Sequence, residues 1–258
     1  MGCLNRREWL AAASGLAGVS AFGRPSSAAV GIAEEPPAAP RRLKIIVTGG
    51  HPGDPEYGCG GTVARYADLG HDVALLYLNR GEWPPSLDET AGKSRMAEAA
   101  KACEILKARP LYAGQANSKA VVDAEHYAAF RKILEAERPD VVFTHWPIDN
   151  HADHRAISML TYDAWLKLKK SFALFYYEVS SGEDTVQFAP THYVDITEAE
   201  PRKRRACYAH ASQSPDRYYA LQGHVTKMRG IESGHREAEA YIRHVQSPDF
   251  ALPLFSRA

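Results

Sequence analysis

Residues 43–78, LKIIVTGGHPGDPEYGCGGTVARYADLGHDVALLYL, decide the architecture. The β-branched run Leu43 to Thr48 ends in Gly49-Gly50, so it reads as a buried strand meeting a turn. Beyond the loop HPGDPEYGCGG, residues 61–69 carry a helical pattern closed by Gly70, and Asp72 to Leu78 form a second strand. This is a βαβ unit, and it recurs. Helices are expected over about 89–107, 123–137 and 152–168, and strands over about 110–113, 141–144 and 172–179. Alternation of this kind predicts an α/β fold, a three-layer sandwich with a mainly parallel sheet covered by helices on both faces. Functional loops of such a sheet lie at the carboxyl ends of its strands.

Working outward, the chain divides into three parts. Residues 1–28 carry Arg6-Arg7, a mildly apolar run AAASGLAGVSAFG and the small residues Ser26-Ser27-Ala28, the pattern of a twin-arginine signal peptide. A buried N-terminal helix is the plainer alternative, but Gly15, Gly18 and Gly23 would each weaken it. Residues 29–41, with Pro36, Pro37 and Pro40, form a Pro-rich extended leader. A single domain of 42–258 follows, and the expected location is the periplasm or the medium. No other stretch has the apolar length of a membrane span, so no stable membrane insertion is expected after signal removal.

The whole chain of 258 residues has 31 Lys plus Arg against 31 Asp plus Glu. Loss of Arg6, Arg7, Arg24 and Glu8 with the signal leaves 28 basic and 30 acidic residues. That balance argues against a phosphate-tracking face, so no nucleic acid partner is expected, and the sequence leaves oligomeric assembly open. Cys59, Cys103 and Cys207 are widely spaced and read as buried small apolar residues rather than a disulfide framework.

No CxxC pair is present, so a metal site must use His and carboxylate groups. Two strand-end loops supply them: His51-Pro52-Gly53-Asp54-Pro55-Glu56, and His145 to His154, HWPIDNHADH. Imidazole and carboxylate at one end of one sheet suit a borderline metal such as zinc, although two His and one carboxylate also suit iron. On a helix starting near Asn150, His151 and His154 share a face. A solitary loop His is usually just solvated; the clustering is what argues for a site. The glycines Gly58, Gly60 and Gly61 read as a tight strand-to-helix turn. There is no GxGxxG spacing and no Walker lysine, so a nucleotide phosphate site is the weaker interpretation.

With HPGDPEYGCGGTVARYADLGHDVALLYLNRGE, His151-Ala152-Asp153-His154, and the tail elements Asp195-Ile196-Thr197, Lys203 and His210-Ala211-Ser212-Gln213, the chain resembles the LmbE/PIG-L family of zinc-dependent de-N-acetylases. The likeness runs from about residue 43 to about 243. It implies a Rossmann-like sheet, one zinc ion per chain held by His51, Asp54 and His154, and His151 as the imidazole that stabilises the oxyanion or protonates the departing amine, oriented by Asp153. It further implies hydrolysis of an N-acyl group, acetyl above all, from an amino sugar or glycoconjugate. Arg95 and Glu98 are similar to the family's substrate-side pair, with a solvated i, i+3 ion pair as the plainer reading, and His210 is expected to line the cleft.

One position departs from the family pattern. The family's first motif is His-Pro-Asp-Asp, and its first Asp, the general base, is Gly53 here. Asp149 is the preferred replacement, with Glu56 and His151 as further candidates; helix capping accounts equally well for Asp149 and Glu56. Glu82, His145, Trp83, Tyr218 and Tyr219 are weaker pocket candidates. The missing base also leaves two other functions in view. One is a zinc hydrolase of another amide or an ester; the other is a catalytically weak carbohydrate-binding relative.

Overall fold

The computed structural model describes residues 41–82, 89–249 and 252–257. The expected signal and all of the leader but Arg41 lie outside the described residues, as does Trp83. From Arg41 onward the described residues make one compact unit.

The alternation read from the sequence is present as β1 (Lys44–Gly49), α1 (Asp54–Asp68), β2 (Asp72–Tyr77), α2 (Glu89–Leu106), β3 (Arg109–Tyr112), α3 (Ala124–Glu137), β4 (Val141–His145), α4 (Ala152–Lys167) and β5 (Ala173–Tyr177). After it come β6 (His192–Asp195), α5 (Glu200–Tyr208), α6 (Pro215–Ser233), β7 (Ala238–Arg243) and β8 (Phe255–Arg257). The sheet order is β3-β2-β1-β4-β5-β7-β6-β8. Strands β1 to β5 run parallel, with Lys44 opposite Asp72 and Val47 opposite Phe143, whereas β7, β6 and β8 extend the sheet antiparallel. The sheet is therefore mainly parallel on the β3 to β5 side only.

Strand alternation divides the core in two. Ile45, Val47, Val73, Leu75, Phe143 and Phe175 pack on one face with α1, α2 and α5. Ile46, Ala74, Leu76, Val142 and Leu174 pack on the other against Phe130, Leu134, Ile157 and Leu160 of α3 and α4. Both faces are thus covered, and the hydrophobic runs of β1, β4 and β5 have no solvent side to alternate toward. From β1 the chain moves outward to β2 and β3, then returns to β4 on the other side. That reversal opens a crevice at the carboxyl ends of β1 and β4, where the two His- and Asp-rich loops emerge.

Helix α1 begins at Asp54, earlier than the sequence pattern suggests, and it contains Gly58, Gly60 and Gly61. The expected glycine turn is corrected to a close helix contact. A Cβ on Gly58 would run into the Tyr177 ring, one on Gly60 would stand 3.0 Å from Lys203, and one on Gly61 2.5 Å from Ile196. Absent side chains let α1 lie directly against β5, α5 and the turn after β6, and that packing outweighs the helix cost of about 1 kcal/mol per glycine. Cys59, Cys103 and Cys207 are buried and free, as expected.

Candidate active site and metal centre

The first loop turns sharply between β1 and α1, which puts Asp54 at the first helical position. Its Oδ2 accepts from the His51 backbone N–H at 2.8 Å and lies 3.1 Å from His51 Nδ1 and 3.2 Å from His154 Nε2. The second loop brings His154 up in the first turn of α4. Ring nitrogens of His51, His151 and His154 lie within 4.8 Å of one another, as do ligand atoms of Asp54, His145 and His154.

Each of the two expected metal-binding imidazoles is backed by a different carboxylate. His51 Nε2 donates to Asp153 Oδ2 at 3.1 Å, and His154 Nδ1 donates to Asp149 Oδ1 at 3.1 Å. A partner of this kind fixes the tautomer and leaves the other nitrogen's lone pair toward the metal. His51 Nδ1 and His154 Nε2 both stand beside Asp54 Oδ2, and the three donors are of the type that suits a divalent ion. His145 belongs behind them. Its Nε2 accepts from Gly50 N–H at 3.2 Å, its ring stacks on His154 at 4.0 Å, and burial holds its pKa down to about 4. Burial pulls the His154 imidazole down as well, but Asp54 and Asp149 outweigh it and hold it up to about 10. Asp54 lies well below the usual carboxylate range, because His154 and His51 overcome its burial.

Two expected roles are corrected. Asp149 is not poised as a base: Oδ1 accepts from His151 N–H at 2.7 Å as well as from His154, and Oδ2 accepts from Thr185 Oγ1 at 3.0 Å. Both oxygens are committed behind His154. Asp153 does not orient His151 through its carboxylate, which serves His51, Asn79 Nδ2 at 3.0 Å and Ser118 N–H at 2.8 Å. Instead the Asp153 backbone N–H donates to His151 Nδ1 at 3.2 Å, making His151 the N-cap of α4. Its ring proton then sits on Nε2, so the neutral ring offers the cavity a donor. Burial keeps His151 below the ordinary His pKa, so that neutral form prevails at neutral pH.

Glu56 is equally committed. Its Oε2 accepts from Gly53 N–H at 3.1 Å, and its Oε1 accepts from Tyr77 Oη at 2.7 Å and His210 Nε2 at 2.9 Å. Through this link His210 is fixed at the cavity wall, where Arg95 and Tyr218 also stand. Arg95 makes no ion pair with Glu98. Its guanidinium donates to the carbonyls of Gly81 at 2.8 Å and Pro52 at 3.2 Å, while Glu98 accepts from Ser212. Glu82 and Tyr219 are buried but outside the cavity lining. Asn79, Ser118 and Asp184 are not singled out by sequence. Asn79 carries a legible signal, a polar residue ending a buried strand, but the Ser118 contact is a backbone one and leaves no trace in residue type.

Gly53 has φ +114°, in the region that side-chain-bearing residues rarely adopt. Space is not the obstacle, since a Cβ there would meet Tyr57 at 3.7 Å and His210 at 3.9 Å. Gly53→Asp is therefore expected to lower stability by about 1–3 kcal/mol and to give no gain in turnover. Urea unfolding alongside a turnover assay checks this. The Asp149 contact predicts that Asp149→Asn weakens divalent-ion binding at this centre by about 10–100-fold, read by competition with a chromophoric chelator.

A doubly wound sheet with histidines and carboxylates gathered at its switch point defines an α/β protein with a metal-type centre. Residues 46–165 match the family described as PIG-L: GlcNAc-PI de-N-acetylase. It is 27% identical over 227 residues to the diacetylchitobiose deacetylase of Thermococcus kodakarensis, covering 78% of this chain and 83% of that protein. Among solved structures it is similar to the conserved protein TT1542 from Thermus thermophilus, with 27% identity, TM-score 0.68 and coverage of 84% of this chain and 100% of that one. The 4-carboxy-2-hydroxymuconate hydratase of Pseudomonas putida KT2440 shares the fold, with TM-score 0.71, 19% identity and coverage of 81% and 99%. One architecture thus serves relatives with different chemistry, so activity must be argued from the site.

Proposed function

We propose that the protein is an exported, zinc-dependent de-N-acetylase that releases acetate from an N-acetylglucosamine-type saccharide or glycoconjugate. The observation that carries this reading is the set His51, Asp54 and His154 at the cavity wall, with each imidazole backed by its own carboxylate. A family described by de-N-acetylation and a relative named for diacetylchitobiose supply the substrate class.

A zinc ion bound by these three residues would polarise the acyl carbonyl and acidify a water molecule. The chain's own residues do the rest. His151 Nε2–H donates toward the oxygen on which charge develops, and its N-cap bond keeps that donor aimed before substrate arrives. Arg95, buried at the wall with its Nε–H unpartnered, adds a fixed positive charge beside the acyl group. His210, held by Glu56, and Tyr218 bound the space left for the sugar.

The test is acetate release from N-acetylglucosamine, diacetylchitobiose and longer oligosaccharides. Chelation is expected to abolish it and added zinc to restore it. Turnover of esters with none of these amides would favour hydrolysis of a different bond, and saccharide binding indifferent to chelation would favour a binding protein. Export rests on Arg6-Arg7 and the apolar run that follows. A fusion of residues 1–41 to a folded reporter is expected to reach the periplasm or medium, and Arg6→Lys with Arg7→Lys is expected to retain it in the cytoplasm.

A further inference from the structure

Amide hydrolysis needs a group that accepts a proton from water and later surrenders it to the departing nitrogen. Gly53 offers none, and the candidates nearest in sequence are all engaged. Both carboxylate oxygens of Asp149 and of Glu56 hold hydrogen bonds, and the tautomer of His151 turns a proton, not a lone pair, toward the cavity. Asp153 has one oxygen without a partner, but it is fully buried and does not border the cavity.

Among the described residues lining the cavity, two carboxylates occur: Asp54, in the metal set, and Asp184. We propose that Asp184 is the catalytic base that replaces the carboxylate absent at Gly53, an inference that rests on the hydrolase reading above. Asp184 lies in the loop after β5, the strand beside β4. Its N–H donates to Ser180 O at 2.9 Å and its carbonyl accepts from Asn150 N–H at 2.9 Å, while Asp149 and Thr185 form an antiparallel bridge. The loop is thereby pinned to the very loop that carries His151 and His154. Ser180 stands beside its carboxylate, and among the described residues no Lys or Arg is paired with it, which leaves lone pairs for a water proton. Burial raises its pKa, with the nearby Asp149 and Asp54 adding to that rise against His154, as suits a group that must hold a proton for part of the cycle.

In the step assigned, the attacking water loses a proton to Asp184 as its oxygen bonds to the acyl carbon and the carbonyl π pair moves to oxygen. The protonated Asp184 then gives that proton to the amide nitrogen as the C–N bond breaks. A carboxylic acid and an amine leave, and Asp184 is again a carboxylate. The acidic limb of the pH–rate profile is accordingly set by Asp184, with rate lost as pH falls through its raised pKa.

The experiment compares wild type, Asp184→Asn and the exposed neighbour Glu183→Gln as zinc enzymes, and repeats the comparison with cobalt to follow the visible spectrum against pH. Asp184→Asn is expected to lower kcat by about a hundredfold or more at unchanged zinc content and to erase the acidic limb, while Glu183→Gln matches wild type. The cobalt spectral midpoint is expected to fall in Asp184→Asn, because a neighbouring carboxylate favours retention of the proton in the site. A midpoint that does not move, or turnover within about twofold of wild type where a base is worth a hundredfold, overturns the assignment. Wild type inert toward every saccharide while the midpoint still moves would sink the deacetylase reading and support the proton-accepting role.

Discussion

On the proposed zinc-hydrolase reading, replacing His154 with Ala is expected to abolish zinc binding and, with it, all measurable acetate release. His154 is the residue on which the whole centre converges. Its Nε2 faces Asp54, its Nδ1 is held by Asp149, and its ring stacks on His145 at 4.0 Å and His151 at 4.6 Å. Loss of an outer partner such as Asp149 typically weakens a metal site about 10–100-fold, and loss of a ligand itself should exceed that by a wide margin. The variant also leaves Asp54 and Asp149 buried without their shared cation, so some stability is lost in the metal-free state. Two readouts separate these effects. A zinc ion held by the folded state as proposed would raise the wild-type Tm and leave His154→Ala unmoved. A variant that still binds one zinc with wild-type affinity would place the metal elsewhere.

The parts of this centre that sequence conveys are those carried by local pattern. The strand runs and the helical stretches set the α/β order, and strand-end position singles out His51, Asp54, His151 and His154. What sequence does not convey is direction. His151 and Asp153 are two apart, so an imidazole–carboxylate pair is a natural expectation, yet at the start of α4 the backbone N–H of Asp153 points back at His151 while its side chain turns across the sheet to His51. Asp149 likewise looks available because a loop carboxylate has no visible partner in sequence, whereas Thr185, which fills its second oxygen, comes from the far side of β5. Asp184 reaches the cavity by the same long route and no motif announces it. The α1 glycines mislead for a related reason, since their neighbours Tyr177, Ile196 and Lys203 all lie far down the chain.

The largest stability effect is expected from Glu239→Gln, well away from the metal. Lys203 and Glu239 are among the few charges with almost no exposure, and Nζ lies 2.6 Å from Oε1. Glu239 also accepts from Gly61 N–H at 2.8 Å, Thr62 N–H at 2.7 Å and Tyr241 Oη at 3.1 Å. One carboxylate therefore ties β7 to the middle of α1 and to α5. The two halves of the pair are not equivalent. Lys203→Met leaves Glu239 with three donors, so its charge stays partly satisfied. Glu239→Gln leaves the Lys203 ammonium buried with its anion gone, and breaking a buried pair from that side costs about 3–5 kcal/mol. The expected order of unfolding free energies is wild type, then Lys203→Met, then Glu239→Gln, and urea denaturation reads it directly. The same variants bear on function, because α1 begins at Asp54 and rests on Lys203 through Gly60. A helix loosened at its middle holds Asp54 less firmly against His51 and His154, so zinc affinity should fall in the same order as stability. Equal destabilisation by the two substitutions, or zinc affinity indifferent to both, would show that α1 is positioned by its glycine contacts with Tyr177 and Ile196 rather than by this ion pair.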